Sequence, residues 1–250
     1  MKYKKIGVVI ADEMEFEPLV KSVGQFNPVN SIINSYETVT FTKDGREVTA
    51  VKCRIGKVNA ACATAMLIDA VKPDCVLNIG LSGGVKGVKR GLVFAGESFR
   101  ECDFDLRALG RPLGEKPGQD YVYEADKELL GAIPGELNIP LMKCGTGDFF
   151  ITKQSQKDEY HSLFGINTFD METAAIASVC HSCSVPFMSV RKISDDSEDK
   201  AAEQYMQMNS LAETALSDIL LSIVDRLDEE ELDEADEQGE DDATATEITD

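Results

Sequence analysis

The sequence predicts an α/β fold, with three layers (α/β/α) built around a mixed, mostly parallel central sheet. Three observations carry this expectation. Short, mostly apolar runs at 5–11 (KIGVVIA) and 75–79 (CVLNI) alternate with helix-length segments, and strands buried on both faces read as near-continuous hydrophobic runs. An Asp44-Gly45 pair separates two strand-like runs early in the chain, which signals a tight hairpin and therefore an antiparallel insertion. With 250 residues and 43% hydrophobic content, the chain has enough apolar material for one large core or two small ones.

The elements follow in order. The strand at 5–11 leads to Asp12, Glu13, Glu15 and Glu17, in a loop that enters a helix near Leu19. Acids at a helix start are favoured by the helix dipole, so they do not by themselves identify a site. The hairpin strands are 35–41 and 47–53. The turn Arg54-Ile55-Gly56-Lys57 opens a helix of small residues at 60–70, closed by Lys72-Pro73. The strand at 75–79 runs into Gly80-Leu81-Ser82-Gly83-Gly84. This is expected to be a glycine turn, either a plain reversal or a display of backbone N–H groups to an oxyanion or a sugar. Its spacing matches neither GxGxxG nor a P-loop.

A strand at 92–99 is followed by residues 100–120, which carry charges, glycine and proline without a period. A structureless stretch of that length is usually functional or interfacial. A helix at 125–133 and a strand at 139–144 lead to a glycine turn bearing Phe149 and Phe150. The segment 152–164 reads as a polar surface helix. Residues 169–196 read as strand, helix, strand and acidic loop, placing Asp170/Glu172 and Asp195/Asp196 at strand ends. Ligands of open α/β sheets bind outside the carboxyl ends of strands. A last helix, 201–227, has its apolar period at Leu211, Ala215, Ile219, Leu220 and Val224.

The net charge of −20 is concentrated at one end. Residues 228–250 hold 13 of the 45 acids, and no Lys or Arg follows Arg226. The chain through Leu227 keeps 32 acids against 25 bases, an ordinary surface balance of −7. The expected organisation is therefore one domain, 1–227, followed by an acidic disordered tail, 228–250. No cluster of positive charge suggests a nucleic-acid partner. No apolar run is long enough for a bilayer, and the start reads as a first strand, not a signal peptide. Seven scattered cysteines, an odd number, suit reduced thiols in a cytoplasmic protein better than a disulfide framework.

The chain has two histidines, His161 on the polar helix and His181 in Cys180-His181-Ser182-Cys183. One unaccompanied CxxC is weak as a metal or redox signal, and a packed helix explains it. The acids are the better candidates for chemistry. Cleavage of an N-glycosidic bond puts positive charge on a ribose ring while electrons collect on the departing base. It calls for a carboxylate that activates water, one that grips ribose hydroxyls, and a proton donor beside the base whose pKa is held up by burial or charge. Glu15, Glu172 and Asp195 stand at three strand ends and match these tasks in number.

The motifs IGVVIADEMEFEPL, RIGKVNAA, VKPDCVLNIGLSGG, GDFFI, DMETAAIASVCHSCSVPF and VRKISD, in this order, resemble the bacterial 5'-methylthioadenosine/S-adenosylhomocysteine nucleosidases of the purine nucleoside phosphorylase superfamily. The resemblance runs from Ile6 to about Leu227. It implies that Glu15 activates water, Asp195 protonates purine N7, and Glu172 binds the ribose hydroxyls with Met171 packed on the sugar. It further implies that Phe150 and Tyr205 sandwich the adenine and that the Ile151 backbone reads its edge. Ile55 borders the sugar, Ser82 and Gly83 lie at the substrate, and Arg191 gives support. No metal or organic cofactor is implied, and the only partner beyond the nucleoside is a second copy of the chain. In such a homodimer Leu109, Arg111 and Pro117 contact the neighbour's 5' group. The chain departs from the family at Leu81, where a hydroxyl residue that helps orient the acid is usual, at Asp170, where Glu is common, and at Arg54, where Gly is usual. Arg111, where an aromatic residue is common, suggests a preference for an acidic 5' substituent. Two other readings stand beside this one. A phosphorylase of the same fold would hold phosphate with cations of the 54–57 turn, and a nucleoside-binding protein without catalysis is suggested by Leu81.

Overall fold

The computed structural model describes residues 1–196, 200–210 and 215–228. The elements are β1 (Lys5–Ile10), α1 (Glu13–Ser22), β2 (Val29–Ile33), β3 (Tyr36–Lys43), β4 (Arg46–Lys52), α2 (Lys57–Val71), β5 (Cys75–Gly84), β6 (Val93–Glu101), β7 (Val122–Glu124), α3 (Lys127–Gly131), β8 (Leu141–Thr146), α4 (Gln154–Phe164), β9 (Thr168–Asp170), α5 (Thr173–Ser182), β10 (Phe187–Asp195), α6 (Ala201–Ser210) and α7 (Ala215–Arg226). The strands form a single mixed sheet in the order β10-β6-β8-β9-β5-β1-β4-β3-β2, with β7 beside β6. β10 also pairs with β5, so one half of the sheet closes on itself while the other extends as an open wing.

Helices cover both faces, as expected, and the strands show why they read as unbroken apolar runs. In β1, Ile6, Val8 and Ile10 face the core under α1 and α7, built with Leu19, Leu220 and Val224. Val9 faces the opposite core under α2 and α5, built with Ala60, Leu67 and Ala174. Successive side chains of a strand point to opposite faces, so both sets are apolar. Parallel pairs (β1–β4, β1–β5, β5–β10, β6–β8, β8–β9) hold the centre. The hairpin β3–β4 forms as expected, with Asp44 at φ 48° and Gly45 at φ 77°, the two left-handed residues of a type I′ turn.

Several boundaries differ from the sequence reading. Gly80–Gly84 is not a turn. It continues β5, and Gly83 and Gly84 pair with Phe169 and Thr168 of β9. The glycines serve close approach: a Cβ on Gly80 would stand 3.0 Å from a Glu15 carboxylate oxygen and 3.2 Å from the Arg191 guanidinium. β10 extends past 190 to Asp195, and β2 and β7 are additional short strands. The last helix is two, α6 and α7; Leu211 lies outside the described residues, as does the tail from residue 229 onward. Asp228 is described, and its carboxylate accepts the Lys2 backbone N–H at 2.9 Å.

Candidate active site

A cavity of about 260 Å³ opens at the carboxyl ends of β1, β5 and β10. Its wall includes Glu15, Ile55, Ser82, Gly83, Phe150, Ile151, Met171, Glu172, Asp195 and Tyr205. Ten residues singled out from the sequence therefore meet at one place, drawn from segments more than a hundred positions apart.

Glu15 is delivered by the start of α1. Asp12 caps the helix and accepts the Met14 N–H at 3.0 Å, and the Glu15 carboxylate returns to the Asp12 N–H at 3.3 Å, a reciprocal capping box. The other Glu15 oxygen accepts the Leu81 N–H at 2.7 Å. Burial pushes the Glu15 carboxyl above its ordinary pKa, while Arg191 and the two N–H donors pull the other way.

Glu172 sits at the N-terminus of α5, where its Oε1 accepts the Gly56 N–H at 2.9 Å. Gly56 has φ 98°, a conformation open to glycine because it has no Cβ. Burial, with the neighbouring Asp170 adding to it, raises the Glu172 pKa to about 8. Asp170 itself is committed to structure. It accepts N–H groups of Glu172 and Thr173, both at 2.9 Å, and hydroxyls of Thr146 at 2.8 Å and Thr173 at 2.6 Å. Asp196, its counterpart in the second acidic pair, turns to the Arg90 backbone and the Gln204 amide.

Asp195 is 1% exposed. Its Oδ1 accepts the Ser194 hydroxyl at 2.8 Å, and its Oδ2 accepts the Lys157 ammonium at 3.3 Å. Gly83 lies flat against it, since a Cβ there would stand 3.3 Å from both carboxylate oxygens. Burial raises the Asp195 pKa, and Ser194 and Lys157 oppose the rise.

Arg191 lies behind Glu15, Glu172 and Asp170. Its Nε donates to Ser82 Oγ at 2.7 Å, its guanidinium to Asn78 Oδ1 at 2.8 Å and to the Leu81 carbonyl, and it lies 3.6 Å from Asp170. Burial works against its charge, but Asp170, Glu15 and Glu172 more than compensate. The Ser82 hydroxyl thus serves Arg191, and the hydroxyl on the Asp195 carboxyl belongs to Ser194.

Other expectations are corrected. The Phe150 and Tyr205 rings meet edge to face with centroids 5.9 Å apart and planes at 71°, a preferred contact between two rings. A base held between parallel rings needs about 7 Å, two contacts of about 3.5 Å each, so the rings do not form a sandwich in this arrangement. Phe149 instead packs with Phe169 and Tyr160 in a small satellite core that also buries Ile151. The polar helix α4 is not wholly a surface element, because Lys157 is buried. His161 is half-buried and its ring meets the Ile166 carbonyl at 2.8 Å. Leu109, Arg111 and Pro117, expected at a neighbour's 5' group, are not in the wall of their own chain's cavity, in keeping with that expectation. They are exposed on the 100–120 loop, with Arg111 paired to Glu115 at 2.9 Å.

The sequence reading missed Lys157, Ser194 and Asn78 as site residues. Asn78 had a readable signal, a polar residue inside an apolar strand; it is 1% exposed and also accepts the Ser189 hydroxyl. Lys157 had none, since a lysine on a polar helix is normally solvated.

The phosphorylase superfamily profile matches residues 5–225. The chain is 32% identical over 234 residues to the 5'-methylthioadenosine/S-adenosylhomocysteine nucleosidase of Exiguobacterium sp., covering 90% of this chain and 99% of that one. It is 35% identical to the enzyme of that name from Haemophilus influenzae, over 74% of this chain and 83% of the other. Among solved structures, the Helicobacter pylori nucleosidase with butyl-thio-DADMe-Immucillin-A superposes with a TM-score of 0.85 at 25% identity, over 90% of this chain and 99% of that one. A mutant of the Helicobacter pylori enzyme with 5'-methylthioadenosine in its active site gives 0.84 at 26%, with the same coverage. The chain therefore belongs to the phosphorylase superfamily and, within it, to the 5'-methylthioadenosine/S-adenosylhomocysteine nucleosidases.

Proposed function

We propose that this chain hydrolyses the N-glycosidic bond of 5'-substituted adenosines and releases adenine, with Glu15, Glu172 and Asp195 dividing the work. The observation that carries this reading is the convergence of three carboxyl groups on one cavity, each held by different partners. Glu15 activates the attacking water. Its elevated pKa makes it a stronger base than an exposed carboxylate. Glu172, with Met171 beside it, takes the ribose hydroxyls. Asp195, whose pKa burial raises, delivers a proton to purine N7 as the C1'–N9 bond breaks and its electrons move onto the base. Phe150 and Tyr205 supply aromatic surface to the base and Ile55 closes the sugar side.

The phosphorylase alternative has little support. Arg54 donates to the Ser35 carbonyl and lies over the Tyr36 ring, and Lys57 is paired with Glu101 at 2.8 Å and Asp103 at 2.5 Å. Neither lines the cavity, whose wall holds Glu15 where a phosphate would be repelled. Incubation with a panel of 5'-substituted adenosines tests the reading. Adenine release is expected at the same rate with and without phosphate, and Glu15→Gln and Asp195→Asn are each expected to lower kcat about 10²–10⁴-fold. Phosphate-dependent release would favour a phosphorylase, ligand binding without release a non-catalytic protein, and full activity in either variant would remove that residue's role.

The functional unit we propose is a cytoplasmic homodimer in which the 100–120 loop, with Leu109, Arg111 and Pro117, reaches the neighbour's 5' subsite. Support comes from the family resemblance and from Leu109, which is 74% exposed. Glu115 already neutralises Arg111, which weakens the case for an acidic 5' substituent.

A further inference from the structure

The buried contact between Lys157 of α4 and Asp195 of β10 has no place in the division of labour above. Lys157 is 2% exposed and sits in the cavity wall, with its ammonium 3.3 Å from Asp195 Oδ2. Burying an ammonium carries a large desolvation penalty unless a partner offsets it. A lysine enclosed this far, on a helix whose other face is polar, has a specific task or is replaced by an apolar residue at little cost.

Resting on the acid role given to Asp195, we propose that Lys157 is a positioning residue for the proton donor, holding Oδ2 and stabilising the carboxylate that remains when the proton has gone to the base. The step balances simply. The Asp195 carboxyl loses its proton to N7, the glycosidic electron pair goes to the purine, and Lys157 stays an ammonium throughout. Without it, the product of proton transfer is a carboxylate 1% exposed beside a base that has just gained electrons. Ser194 completes the arrangement. Its hydroxyl lies 3.2 Å from the Ser82 carbonyl and 2.8 Å from Asp195 Oδ1. One hydroxyl proton thus has two acceptors, and it turns to Oδ1 when that oxygen becomes anionic.

The charges around Asp195 are few among the described residues. From α4 the charged neighbour is Lys157, and from its own strand's end it is Asp196, which disfavours the anion. β5 offers the neutral Ser82 and Gly83. α6 offers Tyr205, whose hydroxyl donates to Asp12 at 3.2 Å. Glu15, Glu172 and Asp170 gather around Arg191. Lys157 is therefore the cation that lowers the Asp195 pKa, and its removal lets the carboxyl hold its proton to higher pH.

The test is the pH dependence of kcat/KM for wild type, Lys157→Met, Lys157→Gln and Lys157→Arg, with Asp195→Asn alongside. An opposite charge at this range shifts a carboxyl by about 1–3 pH units. Lys157→Met is expected to move the alkaline limb up by about 1 unit or more and to lower kcat at neutral pH about tenfold, with KM little changed. Lys157→Arg is expected to restore both. Lys157→Gln, neutral but polar, should behave as Met does and serves if the Met variant does not fold. If Asp195→Asn is inactive while the alkaline limb stays fixed in the neutral variants, or if Arg shifts it as much as Met, this proposal is overturned and the acid assignment stands. If Asp195→Asn remains active, the assignment itself has failed.

Discussion

Three carboxyl groups have their pKa values raised by the same cause, and Glu172 shows what that does. Its folded pKa is about 8 against 4.5 for the free side chain, with burial the largest contribution and Asp170 the next. Between those two values the folded protein holds a proton that the unfolded chain has released. Stability therefore falls as pH rises across this window, and the contribution is fully present only below about 4.5. Glutamine cannot titrate. The difference in unfolding free energy between wild type and Glu172→Gln, followed by denaturant melts of the unliganded protein, should shift in the variant's favour from about pH 4.5 to 8 and be flat on either side. A constant difference across that window would mean that Glu172 is ionised in the free enzyme.

At the scale of the element, α1 is both a packed helix and the mount for Glu15. Phe16 and Leu19 bury its inner face, and the capping box fixes its first turn just after β1 enters the cavity. The box uses Glu15 as its third helical residue, so a single side chain closes the helix end and faces the substrate. Asp12→Ala removes the acceptor of the Met14 N–H and of the Tyr205 hydroxyl. A loss of about 1 kcal/mol is expected from the missing cap, read by urea titration, with Asp12→Asn losing less because it still caps. If Asp12→Ala proves as stable as wild type, the first turn is held by packing alone.

At the scale of the whole molecule, the closed half of the sheet brings the ends of β5, β9 and β10 together, while the open wing of β1 and the β3–β4 hairpin carries α1 to the same rim. Leu109, Arg111 and Pro117 are not in the wall of their own cavity, so in the proposed dimer they reach the 5' group of a second copy. Sedimentation equilibrium should give twice the chain mass of 27.3 kDa at assay concentrations. A monomer that is fully active would remove the loop from the site.

The linear pattern of residues determined the layers, the hairpin, the order of strands and helices, and the carboxyl groups that meet in the cavity. These rest on local rules: apolar runs for strands buried on both faces, a left-handed pair for the tight turn, acids where strands end. Gly80–Gly84 shows where local rules stop. Its composition reads as a turn, yet it is strand, because glycine was needed to admit Glu15, Arg191 and Asp195 against the backbone. The burial of Lys157, the choice of Ser194 over Ser82 beside Asp195, and the clasp of Arg191 were likewise decided by tertiary structure alone. Each depends on which charges are brought together out of water, a property of distance through space that residue order along the chain does not carry.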